Sequence, residues 1–117
     1  MAEGNEPQPN AWSDVPLSDF FESTSLINTS ANRTSIKRNG KQIIGSVYGI
    51  SNHTYNKGTW FTIKSAYRPI GSAMSPVANS GNNSNGLLWM NGESGVANLT
   101  DDIAVGLPIT SFTYLIA

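Results

Sequence analysis

Turn-forming residues punctuate this chain roughly every 8 to 12 positions, and no apolar pattern at helical spacing outlasts a turn or two. A chain interrupted that often cannot build long helices, so its backbone hydrogen bonds must be met between strands. The clearest case is Asn39-Gly40, flanked by the β-prone runs Thr34–Arg38 and Lys41–Ile50. Asn-Gly supplies the positive φ that a type I′ turn needs at both central positions, so the segment reads as a β-hairpin. In its second strand Ile44, Ser46, Tyr48 and Ile50 face one way and Ile43, Gly45, Val47 and Gly49 the other. Both faces are apolar or small, as a sandwich core or a subunit contact requires.

The other segments follow the same logic. Trp12-Ser-Asp-Val-Pro-Leu17, with Phe20 and Phe21, reads as an edge strand or extended segment pinned by its aromatics, with a short helix as the alternative. Thr59–Lys64 reads as a strand with Phe61 and Ile63 on one face and Trp60 and Thr62 on the other. Tyr67–Val77 reads as extended, but Pro69 and Pro76 each lack a ladder N–H, so the run must break or lie at an edge. Asn79–Asn85 is a turn of Asn, Ser and Gly, and Gly86–Asn91 and Ser94–Leu99 form a second hairpin candidate around Asn91–Glu93. Phe112, Tyr114 and Ile116 alternate with Ser111, Thr113 and Leu115 in a closing strand that ends in the core. About seven short strands of this kind predict an all-β fold, a sandwich or a barrel.

Composition bounds the function. Ser, Asn and Thr supply 37 of the 117 residues, while seven basic and eight acidic residues leave a net charge of −1. With 38% hydrophobic residues the chain is a folding one, with a head domain over 12–117 and a flexible tail or linker over 1–11. There is no cysteine, which excludes disulfides, thiol nucleophiles and Cys-ligated metals, and the single histidine, His53, excludes His-rich sites. No apolar run reaches the roughly 18 residues of a membrane span, and the acidic, polar start is unlike a signal peptide, so a soluble protein made in a cytoplasm is expected. Five Asn-x-Ser/Thr triplets begin at Asn28, Asn32, Asn52, Asn82 and Asn98, a number that this Asn, Ser and Thr content produces by chance.

Taken in order, Trp12–Leu17, Ile36-Lys-Arg-Asn-Gly40 leading into Ile43–Gly49, Trp60–Lys64, Tyr67-Arg-Pro-Ile70 and the closing Thr113-Tyr-Leu115 resemble C-terminal domains of bacteriophage tail and baseplate proteins, over about Trp12 to Ala117. The Tyr-Arg-Pro step is the most specific of these motifs. The resemblance implies a jelly-roll-like antiparallel β-sandwich that forms a homotrimer at the tip of a tail fibre or receptor-binding protein. It also implies contact with other tail or baseplate proteins, a place in the virion, and binding of bacterial cell-wall saccharide. The Asn79–Asn85 loop and the Asp101-Asp102 step depart from the pattern, and both bear on the ligand more than on the fold.

Candidate saccharide contacts fall in loops. His53, Tyr55 and Asn56 offer a ring face for pyranose C–H groups and polar atoms for hydroxyls, and Trp89 with Asn91 and Glu93 offers a second such set. For Trp89 the competing reading is core or trimer interface, and for the His53 loop a solvated turn. Trp60 reads as core. Arg68 reads as pairing with a carboxylate or carbonyl at an edge. Asp101 is a further candidate contact, but Asp101 and Asp102 are neighbours whose side chains diverge, so they do not form a catalytic pair. Arg33, Lys37, Arg38 and Lys41 cluster within nine positions, yet the chain is not basic overall, so nucleic acid is not expected; edge-strand protection is the simpler reading and contact with anionic cell-wall phosphate the alternative.

No Gly-x-Ser-x-Gly elbow, His pair or phosphate-cradling glycine loop is present, and no catalytic residue, metal or cofactor is assigned. The expectation is a non-enzymatic receptor-binding head; the alternative is a structural domain of a tail, baseplate or fibre without a ligand.

Overall fold

The computed structural model describes residues 11–51, 53–79 and 86–117. Residues 1–10 of the tail expected over 1–11, residues 80–85 of the turn expected over 79–85, and the triplet positions Asn52 and Asn82 lie outside the described residues. The chain is predominantly antiparallel β. Its strands are β1 (Ser13–Asp14), β2 (Ser35–Asn39), β3 (Gln42–Tyr48), β4 (His53–Tyr55), β5 (Gly58–Thr62), β6 (Ser72–Asn79), β7 (Gly86–Asn91), β8 (Val96–Leu99), β9 (Ile103–Gly106) and β10 (Pro108–Leu115), with one short helix, α1 (Leu17–Phe20). Eight strands form one sheet in the order β1-β2-β3-β10-β6-β7-β8-β5, and β4 pairs with β9 in a small second sheet.

The sheet curls because one segment is bonded to both of its ends. Val15 donates to Ile36 O beside β2, while Glu22 donates to Thr62 O and Lys64 to Phe20 O beyond β5. The proline-containing stretch is therefore both things its sequence allows: a two-residue edge strand, then a helical turn opened by Pro16, whose φ of −56° suits that position. The turn drives Phe20 and Phe21 into the centre of the curl, where both are buried and their rings meet edge to face at 4.8 Å. Ile36, Ile43, Val47, Ile63, Leu88, Met90, Leu99 and Phe112 surround them.

Three local features depart from the sequence reading. The first hairpin pairs Asn39 with Gln42, so Gly40-Lys41 form its loop and Gly40 alone takes positive φ (61°), which is the requirement of a type II′ rather than a type I′ turn. In β5 a bulge between Thr59 and Phe61 inserts Trp60 opposite the Asn98–Ala97 step, so Trp60 and Phe61 both point inward instead of alternating. The second hairpin loop extends to Gly95, whose N–H bonds back to Asn91 O at 2.8 Å and whose φ is 75°.

The Tyr67–Val77 run breaks, as its prolines require. Ser65–Tyr67 is a 3-10 turn, Gly71 takes φ of 72°, and β6 then runs through the middle of the sheet. Its ladder with β10 covers only Val77–Asn79 against Pro108–Thr110 and resumes at the Pro69–Ile116 bridge. Residues 70–76 thus oppose residues 111–115, and the two extra residues make β6 bow away from β10. Pro76 stands at the fork, turned toward β10 where it has no N–H to offer. Below it the hydroxyls of Ser75 and Thr110 meet at 2.7 Å; Thr110 donates to Pro76 O at 2.8 Å, so Ser75 supplies the proton between them.

The two faces of the sheet differ in kind. Ile43, Gly45, Val47 and Gly49 are buried, but the opposite face of β3, which the sequence reading also expected to be covered, is open within the chain, with Ile44 45% exposed. β3, β10, β6, β7 and β8 contain no Asp, Glu, Lys, Arg or His at all. Ile44, Met74, Leu87, Trp89 and Leu115 are exposed on this uncharged outer surface.

Candidate functional site

The two ends of the sheet carry different candidate residues. β7 begins near Asp101, whose side chain lies against Gly86, and ends at Asn91, so Asp101 and Asn91 are separated by about 17 Å of strand. The β4–β9 pair, with His53 and Asn56, belongs to the Asp101 end, because β9 leads directly into Pro108 opposite Asn79. The seven candidates therefore do not form one site.

At the β4–β9 end the sequence reading needs one revision. Tyr55 is buried rather than presented to solvent; its hydroxyl accepts from Ile50 N at 2.8 Å and donates to Leu26 O at 2.9 Å. Burial pushes its ionisation up, opposed by the Ile50 N–H. The pairing of β4 with β9 turns this ring inward, and its face is taken by Trp60 and by His53, whose ring packs edge-on at 4.7 Å. His53 and Asn56 are exposed. Asp102 accepts from Lys57 N at 2.7 Å, and Asp101 lies 3.1 Å from the Thr100 hydroxyl, so both serve turns.

At the other end Trp89, Asn91 and Glu93 come together. They line an open cavity of about 590 Å³ with Arg68, Ile70 and Ser72. Trp89 is not core: the residue is 40% exposed and is paired across the ladder with Met74. Asn91 shapes the loop, its side-chain oxygen accepting from Glu93 N at 2.8 Å and Ser94 N at 3.1 Å, which leaves its amide N–H groups for another partner.

Arg68 builds the wall of this cavity. Its Nε donates to Ile63 O and its Nη1 to Glu93 O, both at 2.9 Å, while Nη2 reaches Glu22 Oε2 at 3.4 Å. It thereby ties β5, the β7–β8 loop and the segment after α1 together, pairing with carbonyls and a carboxylate as expected. Gly92 completes the wall, since a Cβ there would overlap the carbonyl oxygens of Gly71 and Pro69. Ile70 and Gly92 were not singled out from sequence; the clue to them is the Tyr-Arg-Pro-Ile-Gly step itself, a break that brings the chain back across the end of the sheet.

The basic cluster is dispersed into local contacts. Lys37 lies 3.6 Å from Asp14, Arg38 donates through Nε and Nη2 to Gly40 O, and Arg33 lies over the Tyr48 ring. Among the described residues no three His, Cys, Asp or Glu side chains gather where a metal ion would fit. No described helix is long and apolar enough to cross a membrane. The chain matches no protein-family model and no curated protein.

Proposed function

We propose that this chain is a receptor-binding head domain of a bacteriophage tail or baseplate protein, a homotrimeric, sandwich-like β domain that recognises bacterial surface saccharide and performs no catalysis. The observation that carries this reading is the exposed Trp89 indole at a cavity that also holds Asn91 and Glu93. A flat indole packs on the C–H face of a pyranose, and an amide and a carboxylate beside it suit the ring hydroxyls. Contact at one such shallow site is weak, and a trimer repeated around a tail tip multiplies it by avidity. The sequence motifs that resemble tail and baseplate domains point the same way.

The test is binding of the labelled protein to Gram-positive cells and to their extracted wall polysaccharide, with Trp89→Ala beside it. Saturable binding by the parent and its loss in a folded Trp89→Ala support the reading; no binding to any strain of a broad panel contradicts it.

One observation favours a structural domain without a ligand. Five adjacent strands with no Asp, Glu, Lys, Arg or His side chain, exposing Ile44, Met74 and Leu115, suit permanent contact with further copies or other tail proteins. The two readings are compatible if copies meet over β3 and β10 and the Trp89 end stays open.

A further inference from the structure

The charges around the Trp89 cavity are one-sided. Among the described residues, Arg68 and Glu93 are the only charged side chains that line it. The Arg68 guanidinium is held by Ile63 O, Glu93 O and the Glu22 carboxylate, so its charge is compensated from within the chain. The Glu93 carboxylate is exposed and has no ion-pair partner among the described residues. Asn91 has its side-chain oxygen engaged and offers only N–H donors, and a neutral amide cannot balance a ligand anion. Lys41, on the β2–β3 turn at this end of the sheet, does not line the cavity.

A polymer carrying uronate or phosphodiester groups would therefore meet an unpaired carboxylate and no available cation. A sugar hydroxyl or ammonium, by contrast, donates to that carboxylate in a charge-assisted hydrogen bond, which is stronger than one between neutral groups. From this geometry we infer that the cavity selects neutral or amine-bearing saccharide and excludes acidic saccharide. The inference rests on the saccharide reading above and adds the class of sugar, with Glu93 as the selecting residue and Trp89 as the platform.

The experiment measures Trp89-dependent binding, the difference between the purified parent and Trp89→Ala. Four probes of matched length are used: an N-acetylated chito-oligosaccharide, its deacetylated amine form, an oligogalacturonate and a glycerol-phosphate oligomer. At low salt, where charge effects are largest, the first two are expected to bind at least about tenfold more tightly than the last two. Glu93→Gln should weaken the hydroxyl- or amine-bearing ligand by about tenfold and narrow the gap to the acidic ones. Circular dichroism and sedimentation show whether each variant is folded. Acidic probes that bind as tightly as the neutral ones, or more tightly, overturn the selectivity and leave saccharide binding standing. A Glu93→Gln variant with the parent's preferences removes Glu93 from the role. Absence of Trp89-dependent binding to all four overturns the inference together with the reading beneath it.

Discussion

Gly92 and Gly71 touch backbone to backbone: the Cα of Gly92 sits where any Cβ would overlap the Gly71 carbonyl oxygen. That contact holds the β7–β8 loop against the chain returning from Pro69 and so fixes the wall of the Trp89 cavity. Because the obstacle is backbone, no side-chain rotation relieves it. Gly92→Ala is expected to destabilise the fold by about 3 kcal/mol or to open the loop. A urea midpoint within error of the parent's would contradict the contact.

Leu26 O is shared by two buried donors, Tyr55 Oη at 2.9 Å and Trp60 Nε1 at 3.0 Å. Removing either leaves the carbonyl satisfied; removing both orphans it. Tyr55→Phe and Trp60→Phe together should therefore cost more than the sum of the single changes, by about 1 kcal/mol. Additive costs in a double-mutant cycle would show that the carbonyl does not depend on them.

Tyr114 donates to Tyr67 O at 2.7 Å, and burial pushes its ionisation far above the ordinary value near 10. The folded chain keeps this phenol neutral while the unfolded chain ionises it, so its contribution is intact below about pH 10 and is lost as pH rises through the folded value. Tyr55 acts with the same sign. Tyr114→Phe should cost about 1 kcal/mol at neutral pH and flatten the loss of stability above pH 10. Equal alkaline slopes in urea titrations of parent and variant would exclude Tyr114 as a source.

The uncharged outer surface makes self-association testable at residues outside the cavity lining, although Met74 neighbours Trp89 across the ladder. Ile44 and Met74, 45% and 58% exposed, lie on the central strands, where lysine costs a monomer little. The parent is expected to sediment as a trimer, and Ile44→Lys with Met74→Lys as a folded monomer. A parent that is monomeric across the accessible concentration range contradicts the trimer.

Much of this architecture is legible in the sequence because it is written locally. The alternation along Phe112–Ile116 separates the buried face from the open one, and Asn39-Gly40 locates the first hairpin to within one residue, whereas along Ile43–Gly49 two apolar faces gave no sign of which one the fold covers. Features set by a partner strand are not legible. The Trp60 bulge exists only in register with β8, and Tyr55 turns inward only because β9 pairs with its strand, so a polar-looking loop hid a core residue. Likewise Pro76 announced a missing ladder bond but not a fork in the middle of the sheet. The candidate cluster was half legible: Trp89, Asn91 and Glu93 are near neighbours in sequence, whereas Arg68, Ile70 and Gly92 join them through the fold.

The Trp89 end of this domain is proposed to bind wall saccharide. Titration of purified wall polysaccharide into the parent and into Trp89→Ala, with circular dichroism confirming equal folding, tests it most directly. Saturable binding that Trp89→Ala weakens by about tenfold or more is expected. Equal affinity in parent and variant would contradict it.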